Sequence, residues 1–169
     1  MENLLHIYYG DGKGKTTAAV GLAYRCGSRG KRVIFTSFLK SRDSGEFLNA
    51  GPFELDSFYF CNKFWNDLTE AEKNHARQDA QNRLNNLLEK AETYDMIVLD
   101  EFLDAVSLGC VDRDFAITFV EKIYRKAEIV ITGHQEIKDL FEMADYITEM
   151  KKIKHPFDGG ITGRCGIEF

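Results

Sequence analysis

The chain has 169 residues, 44% of them hydrophobic and 29% charged, with a net charge of −5. That length fits one domain with an ordinary core, and the composition excludes a disordered chain. The acidic balance argues against bulk electrostatic capture of nucleic acid, and no apolar run approaches the ~18 residues of a membrane span.

Short apolar runs alternate with helix-like segments along the chain. Residues 4–9 form the first predicted strand, and His6 inside it reads as a core histidine. A glycine-rich stretch follows, and residues 15–28, rich in Ala and Leu, read as a helix ending near Gly27 and Gly30. Residues 33–39 make a second strand and residues 53–60 a weaker third. Thr69-x-x-Glu72 fits a capping box. After it Ala76, Ala80, Leu84, Leu87, Leu88 and Ala91 recur every three or four positions as one helical stripe. Residues 96–99 form a fourth strand that runs into Asp100 and Glu101. A helix over 112–126 carries Phe115, Phe119 and Ile123 four apart, and residues 129–131 and 146–147 supply the last two strands. Continuously apolar strands suit a sheet covered on both faces, so the expected class is α/β, a mostly parallel sheet flanked by helices.

With two prolines, no repeat and no low-complexity tract, residues 1–169 read as one domain. Cys26, Cys61, Cys110 and Cys165 show no C-x-x-C spacing, so they read as small buried apolar residues, with neither zinc nor disulfides. A reduced, cytoplasmic protein is expected. His75 and the basic run 151–154 read as solvent-facing.

The strongest signal is Gly10-Asp11-Gly12-Lys13-Gly14-Lys15-Thr16-Thr17, directly after the first strand. Strand, glycine-rich loop and helix start come in the order a phosphate cradle needs. Glycines let backbone N–H groups point inward, and the helix N-terminus adds partial positive charge. Lys15 is placed to reach phosphate oxygens and the Thr16 hydroxyl to ligate Mg²⁺. Relative to G-x-x-x-x-G-K-[ST] the loop is one residue shorter, because Tyr9 stands where glycine is expected, and it carries an extra lysine, Lys13. Residues 96–101 add a second signal, an apolar strand ending in acids of the Walker B kind. Asp100 is the better metal carboxylate; Glu101 can ligate metal, orient a partner or cap the next helix. Lys40, Asn62, Lys63 and the run Thr132-Gly133-His134 follow other strands, at the sheet edge where such folds bind ligands.

The loop residues 10–17 with Ala18-Ala19 resemble those of the P-loop type ATP:corrinoid adenosyltransferases. Phe38-Leu39-Lys40 with Gly45-Glu46, Leu99-Asp100-Glu101, Ile131-Thr132-Gly133, Ala144-Asp145 and Thr148-Glu149-Met150 are similar to further motifs of that family, in order. So are Lys154-His155-Pro156-Phe157 and the terminal Gly166-Ile167-Glu168-Phe169. The resemblance implies a RecA-like P-loop fold and a definite reaction. Co(I) of a reduced corrinoid attacks the 5′ carbon of ATP, giving an adenosylcorrinoid and triphosphate. Lys13, Lys15 and Thr16 would carry the catalysis, since loss of one preorganised donor typically costs on the order of 10²–10³ in rate. Residues 10–17, Lys40 and His134 would bind nucleotide or corrinoid, and Phe64 and Trp65 would lie against the corrinoid's lower face. Mg²⁺ or Mn²⁺ would sit on Thr16, Asp100 and Glu101, with no protein-ligated zinc or haem.

Implied partners are ATP, the corrinoid, a flavoprotein electron donor and a second copy of the chain, but neither nucleic acid nor membrane. His134 stands where the family usually has arginine, and the two rings of Lys63-Phe64-Trp65 are one residue closer than usual. The first strand begins almost at once, without the longer extension of many members. Two other readings stay open on the residues alone, a small P-loop kinase and a non-catalytic ATP-dependent corrinoid carrier.

Overall fold

The computed structural model describes residues 2–39, 45–48, 51–57, 63 and 65–168. Six parallel strands form one sheet: β1 (Leu5–Tyr9), β2 (Val33–Ser37), β3 (Glu54–Ser57), β4 (Met96–Asp100), β5 (Glu128–Thr132) and β6 (Tyr146–Glu149). Their order is β3-β2-β4-β5-β1-β6, with every pairing parallel. The longer helices are α1 (Lys15–Gly27), α3 (Glu70–Lys90) and α5 (Arg113–Ile123). Between and after them come three short ones, α2 (Gly45–Leu48), α4 (Phe102–Ser107) and α6 (Lys138–Met143).

Side chains alternate across a strand, so both faces of the central strands must be apolar. Met96 and Val98 pack with Ala19 and Ala23 of α1 on one face. Ile97 and Leu99 join Ala80, Leu84, Phe102 and Phe119 in the larger core on the other. The same alternation splits Val130 from Ile129 and Ile131.

The helical stripe of α3 holds: Ala76, Ala80, Leu84 and Leu87 are buried, and Leu88 packs at the margin. Its capping box is complete. Glu72 N donates to Thr69 Oγ1 at 3.3 Å, and Thr69 N donates to Glu72 Oε2 at 2.7 Å. Thr69→Ala removes that acceptor and is expected to cost about 1 kcal/mol, lowering Tm by roughly 2–4 °C in a thermal melt. An unchanged Tm would show that the cap contributes nothing. At α5 the Asp112 carboxylate accepts from Phe115 N at 2.9 Å, so that residue is the cap rather than part of the helix.

Several boundaries differ from the sequence pattern. β2 stops at Ser37, not residue 39: Phe38 N completes the ladder by donating to Asp100 O at 2.9 Å, and the chain then leaves the sheet at Leu39, which takes a left-handed φ of 59°. β4 and β5 each run to the polar residue at the sheet edge, Asp100 and Thr132. β3 is described over Glu54–Ser57; residues 58–60 of the expected strand lie outside the described residues. Cys110 is buried and Cys26 partly so, but Cys165 is exposed, on a tail too thinly packed to cover it; Cys61 is not described. His6 bonds Glu128 at 2.6 Å, while His75 and residues 151–154 face solvent. No helix among the described residues is long and apolar enough to cross a membrane.

Candidate active site

β1 delivers the chain into the glycine-rich loop, and α1 starts at Lys15. Gly14, at the α1 N-cap, has a φ of 117°, which side chains with a Cβ rarely adopt. Gly12 is needed for a different reason. Its N–H donates to Met150 O at 2.5 Å, and a Cβ there would stand 2.5 Å from that same oxygen. The end of β6 thus closes one side of the loop.

The amine of Lys15 folds back over the loop and donates to Gly10 O at 2.7 Å and Gly12 O at 3.0 Å. Burial holds it below the ordinary lysine range, opposed by the carboxylates of Asp104, Asp11, Glu101 and Asp100. Two loop carbonyls thus hold a partly desolvated cation.

β5 lies between β1 and β4, so its end separates the loop from the acidic strand end. Thr132 bridges them. Its hydroxyl donates to Asp100 Oδ1 at 2.7 Å and accepts from Glu101 N at 2.8 Å. Asp100 is fully buried, and Glu101 turns with a left-handed φ of 59°. Glu101 occupies the N-cap position of α4, but its side chain makes no cap bond.

These groups share an open cavity of about 570 Å³, walled by the loop, the ends of β4 and β5, and the carboxyl-terminal tail. Asp11, Gly12, Lys13, Gly14, Lys15, Thr16 and Thr17 all line it, as do Glu101 and His134. Gly10 does not line it but accepts from Lys15, which does, and the buried Asp100 is joined to it through Thr132.

Lys13 reaches elsewhere than the sequence suggests. Its amine donates to Ile167 O at 2.8 Å and lies 3.3 Å from the Glu168 carboxylate. Arg164 beside it, together with Lys13, holds that carboxyl at about 2.

Asp104, in the first turn of α4, is a site residue the sequence pattern misses. Both its oxygens face His134: they accept from the backbone N at 3.1 and 3.2 Å and lie 3.1 and 3.2 Å from ring Nδ1. The hydrogen bond to Asp104 raises the His134 imidazole above its usual range. The only early signal was an acid four residues beyond Asp100, in a helix too short to show periodicity.

Other expected contributors stand apart. Trp65 opens a short 3₁₀ turn and packs on the larger core, with the Arg77 guanidinium 5.6 Å from its ring. It does not line the cavity. Lys63 pairs with Glu72 at 2.7 Å and holds that carboxyl at about 2. Lys40, Asn62 and Phe64 lie outside the described residues.

The sequence signature of the family described as ATP:corrinoid adenosyltransferase BtuR/CobO/CobP matches residues 1–169. A corrinoid adenosyltransferase of Escherichia coli (strain K12) is 27% identical over 168 residues, 98% of this chain and 85% of that protein. One from Sinorhizobium sp is 29% identical over 174 residues, 99% of this chain and 81% of that protein. Among solved structures, the flagellar accessory protein FlaH of Methanocaldococcus jannaschii superposes with a TM-score of 0.54 at 17% identity. It covers 88% of this chain and 71% of its own. That likeness concerns the fold alone and agrees with a RecA-like P-loop architecture.

Proposed function

The chain belongs to the ATP:corrinoid adenosyltransferase family, and on that premise we propose that it moves the adenosyl group of ATP onto the Co(I) of a reduced corrinoid. The observation that carries this reading is a phosphate loop facing an acidic strand end across the Thr132 bridge. The cobalt electron pair attacks the 5′ carbon of ATP. A Co–C bond forms, the C5′–O bond breaks, and triphosphate leaves with the bonding pair. No protein base is needed, because no proton moves in that step.

The work of this chain is therefore to hold the nucleotide and to stabilise charge on the leaving group. Backbone N–H groups of the loop other than that of Gly12, which is taken by Met150 O, cradle the phosphates together with the α1 N-terminus. Lys15 leaves the Gly10 and Gly12 carbonyls for the phosphate oxygens. Lys13 does the same once the anion displaces Glu168. Preorganised donors in a partly desolvated site are worth far more than the same groups in water.

The donor set also fits Mg²⁺ or Mn²⁺. Thr16 and Glu101 line the cavity and the buried Asp100 is joined to it through Thr132. Among the described residues no group of three His, Cys, Asp or Glu forms a closed cage. Hard cations of this kind prefer phosphates, waters and one or two protein oxygens. The bound ion would neutralise charge on the triphosphate. Phe64 and Trp65 are assigned to the corrinoid's lower face, with Lys40 and His134 at the substrates. A flavoprotein electron donor, a second copy of the chain and a cytoplasmic setting complete the reading.

The test is turnover. Anaerobic incubation with ATP, Mg²⁺ and chemically reduced corrinoid should give a light-sensitive Co–C product, followed by absorbance, in many equivalents per site. One equivalent or none would overturn the enzymatic reading.

A further inference from the structure

Four side chains of the cavity are cations or potential cations: Lys13, Lys15, His134 and His155, the last with its Nδ1 accepting from Phe157 N at 3.2 Å. The first two are held by the tail and by loop carbonyls. His134 is held differently. Its backbone N–H and ring Nδ1 both face the carboxylate of Asp104, at 3.1–3.2 Å. The Asp104 side chain is 16% exposed and that of His134 51% exposed, so a mostly buried acid anchors a ring that reaches into the open cavity. With Nδ1 engaged, the opposite ring nitrogen, Nε2, has no partner among the described residues.

We propose that Asp104 is a positioning residue that holds the His134 imidazole as a cation and aims its Nε2–H at the triphosphate of the bound nucleotide. The inference rests on the nucleotide reading above. A carboxylate on one ring nitrogen fixes the tautomer, orients the ring and favours the charged form, leaving the other nitrogen as a charge-assisted donor. Burial of the ring opposes this, and so does Lys15, while Glu101 and Asp104 support it; the balance raises His134 above ordinary imidazole. Asp11 and Lys13 of the loop, and His155 and Glu168 of the tail, face it across the cavity. Glu136 and Lys138 flank it along the chain.

The sign follows. His134 carries its proton at low pH and loses it as pH rises through its raised value. Its help in holding the triphosphate is therefore present below that value and lost above it. The Asp104–His134 pair stabilises the fold in the same window.

The experiment is calorimetric binding of inorganic triphosphate with Mg²⁺ from about pH 6 to about pH 9, across the histidine range. The ligand titrates there too, so His134→Arg, a cation at every pH, supplies the ligand's own profile. Wild-type protein should lose roughly tenfold more affinity than His134→Arg over the range. Asp104→Asn should shift that loss to lower pH, and ring-carbon NMR of His134 should show its titration moving with it. Identical wild-type and His134→Arg profiles would overturn the proposal, as would an Asp104→Asn profile unchanged from wild type. Should Asp104→Asn fail to fold, the first comparison decides. Adenosyl transfer measured on wild-type protein keeps the two readings apart. If no Co–C product forms while the pH-dependent loss persists, the function fails and this assignment stands.

Discussion

Replacing Lys15 with alanine is expected to lower kcat for adenosyl transfer by on the order of 10²–10³. The amine stands in the loop, bound among the described residues only to the carbonyls of Gly10 and Gly12 and already below the ordinary lysine range through burial. It is free to follow negative charge as that charge builds on the leaving triphosphate. An interaction made mainly in the transition state lowers kcat and kcat/KM together when it is removed. Lys15→Arg should not rescue, because a planar guanidinium does not replace a compact ammonium in this half-buried space. The fold should tolerate the alanine, since Lys15 and Gly12 line an open cavity that water can enter. A fall of less than tenfold, with the protein folded, would remove Lys15 from the proposed machinery.

Phe102→Ala is expected to destabilise the protein by about 3–5 kcal/mol, read from the urea midpoint. Phe102 is fully buried, with its ring 5.3 Å from Phe38 and 6.4 Å from Phe119. It opens α4 and so ties that helix to α5 and to the segment after β2. Truncation would leave a cavity facing the rings of Phe38 and Phe119 on two other elements, which a short helix cannot close without moving. The same motion would displace Asp104, two residues on. Nucleotide binding should therefore weaken even under conditions where the variant remains folded. A cost below about 1.5 kcal/mol would mean that the site collapses easily and that α4 is not anchored there.

Much of this arrangement was legible before any coordinates. The phosphate loop is contiguous in sequence, so its glycines and Lys15 announce themselves without knowledge of the fold. Buried parallel strands are nearly as plain, because Met96 through Leu99 must be apolar on both faces. The capping box at Thr69 and Glu72 is local and was found in place.

What escaped depends on contacts distant in sequence. α4 and α6 have six residues each, too few to display a helical period. Asp104 meets His134 across thirty residues, and nothing near either one marks the pair. The bond from Lys13 to Ile167 O joins residues 154 apart, and nothing in the loop itself marks it. The bond from Gly12 to Met150 is equally remote, and the glycine there was legible only as part of the loop. That His134 stands where the family usually has arginine was plain from the sequence; the contact with Asp104 that raises it was not.

The most direct measurement is phosphorus NMR on the turnover mixture, with Co–C bonds counted in the same sample by absorbance. The account predicts inorganic triphosphate, one molecule for each Co–C bond formed, and no ADP. ADP, or phosphate released without any Co–C bond, would contradict it and would assign the loop to phosphoryl rather than adenosyl transfer.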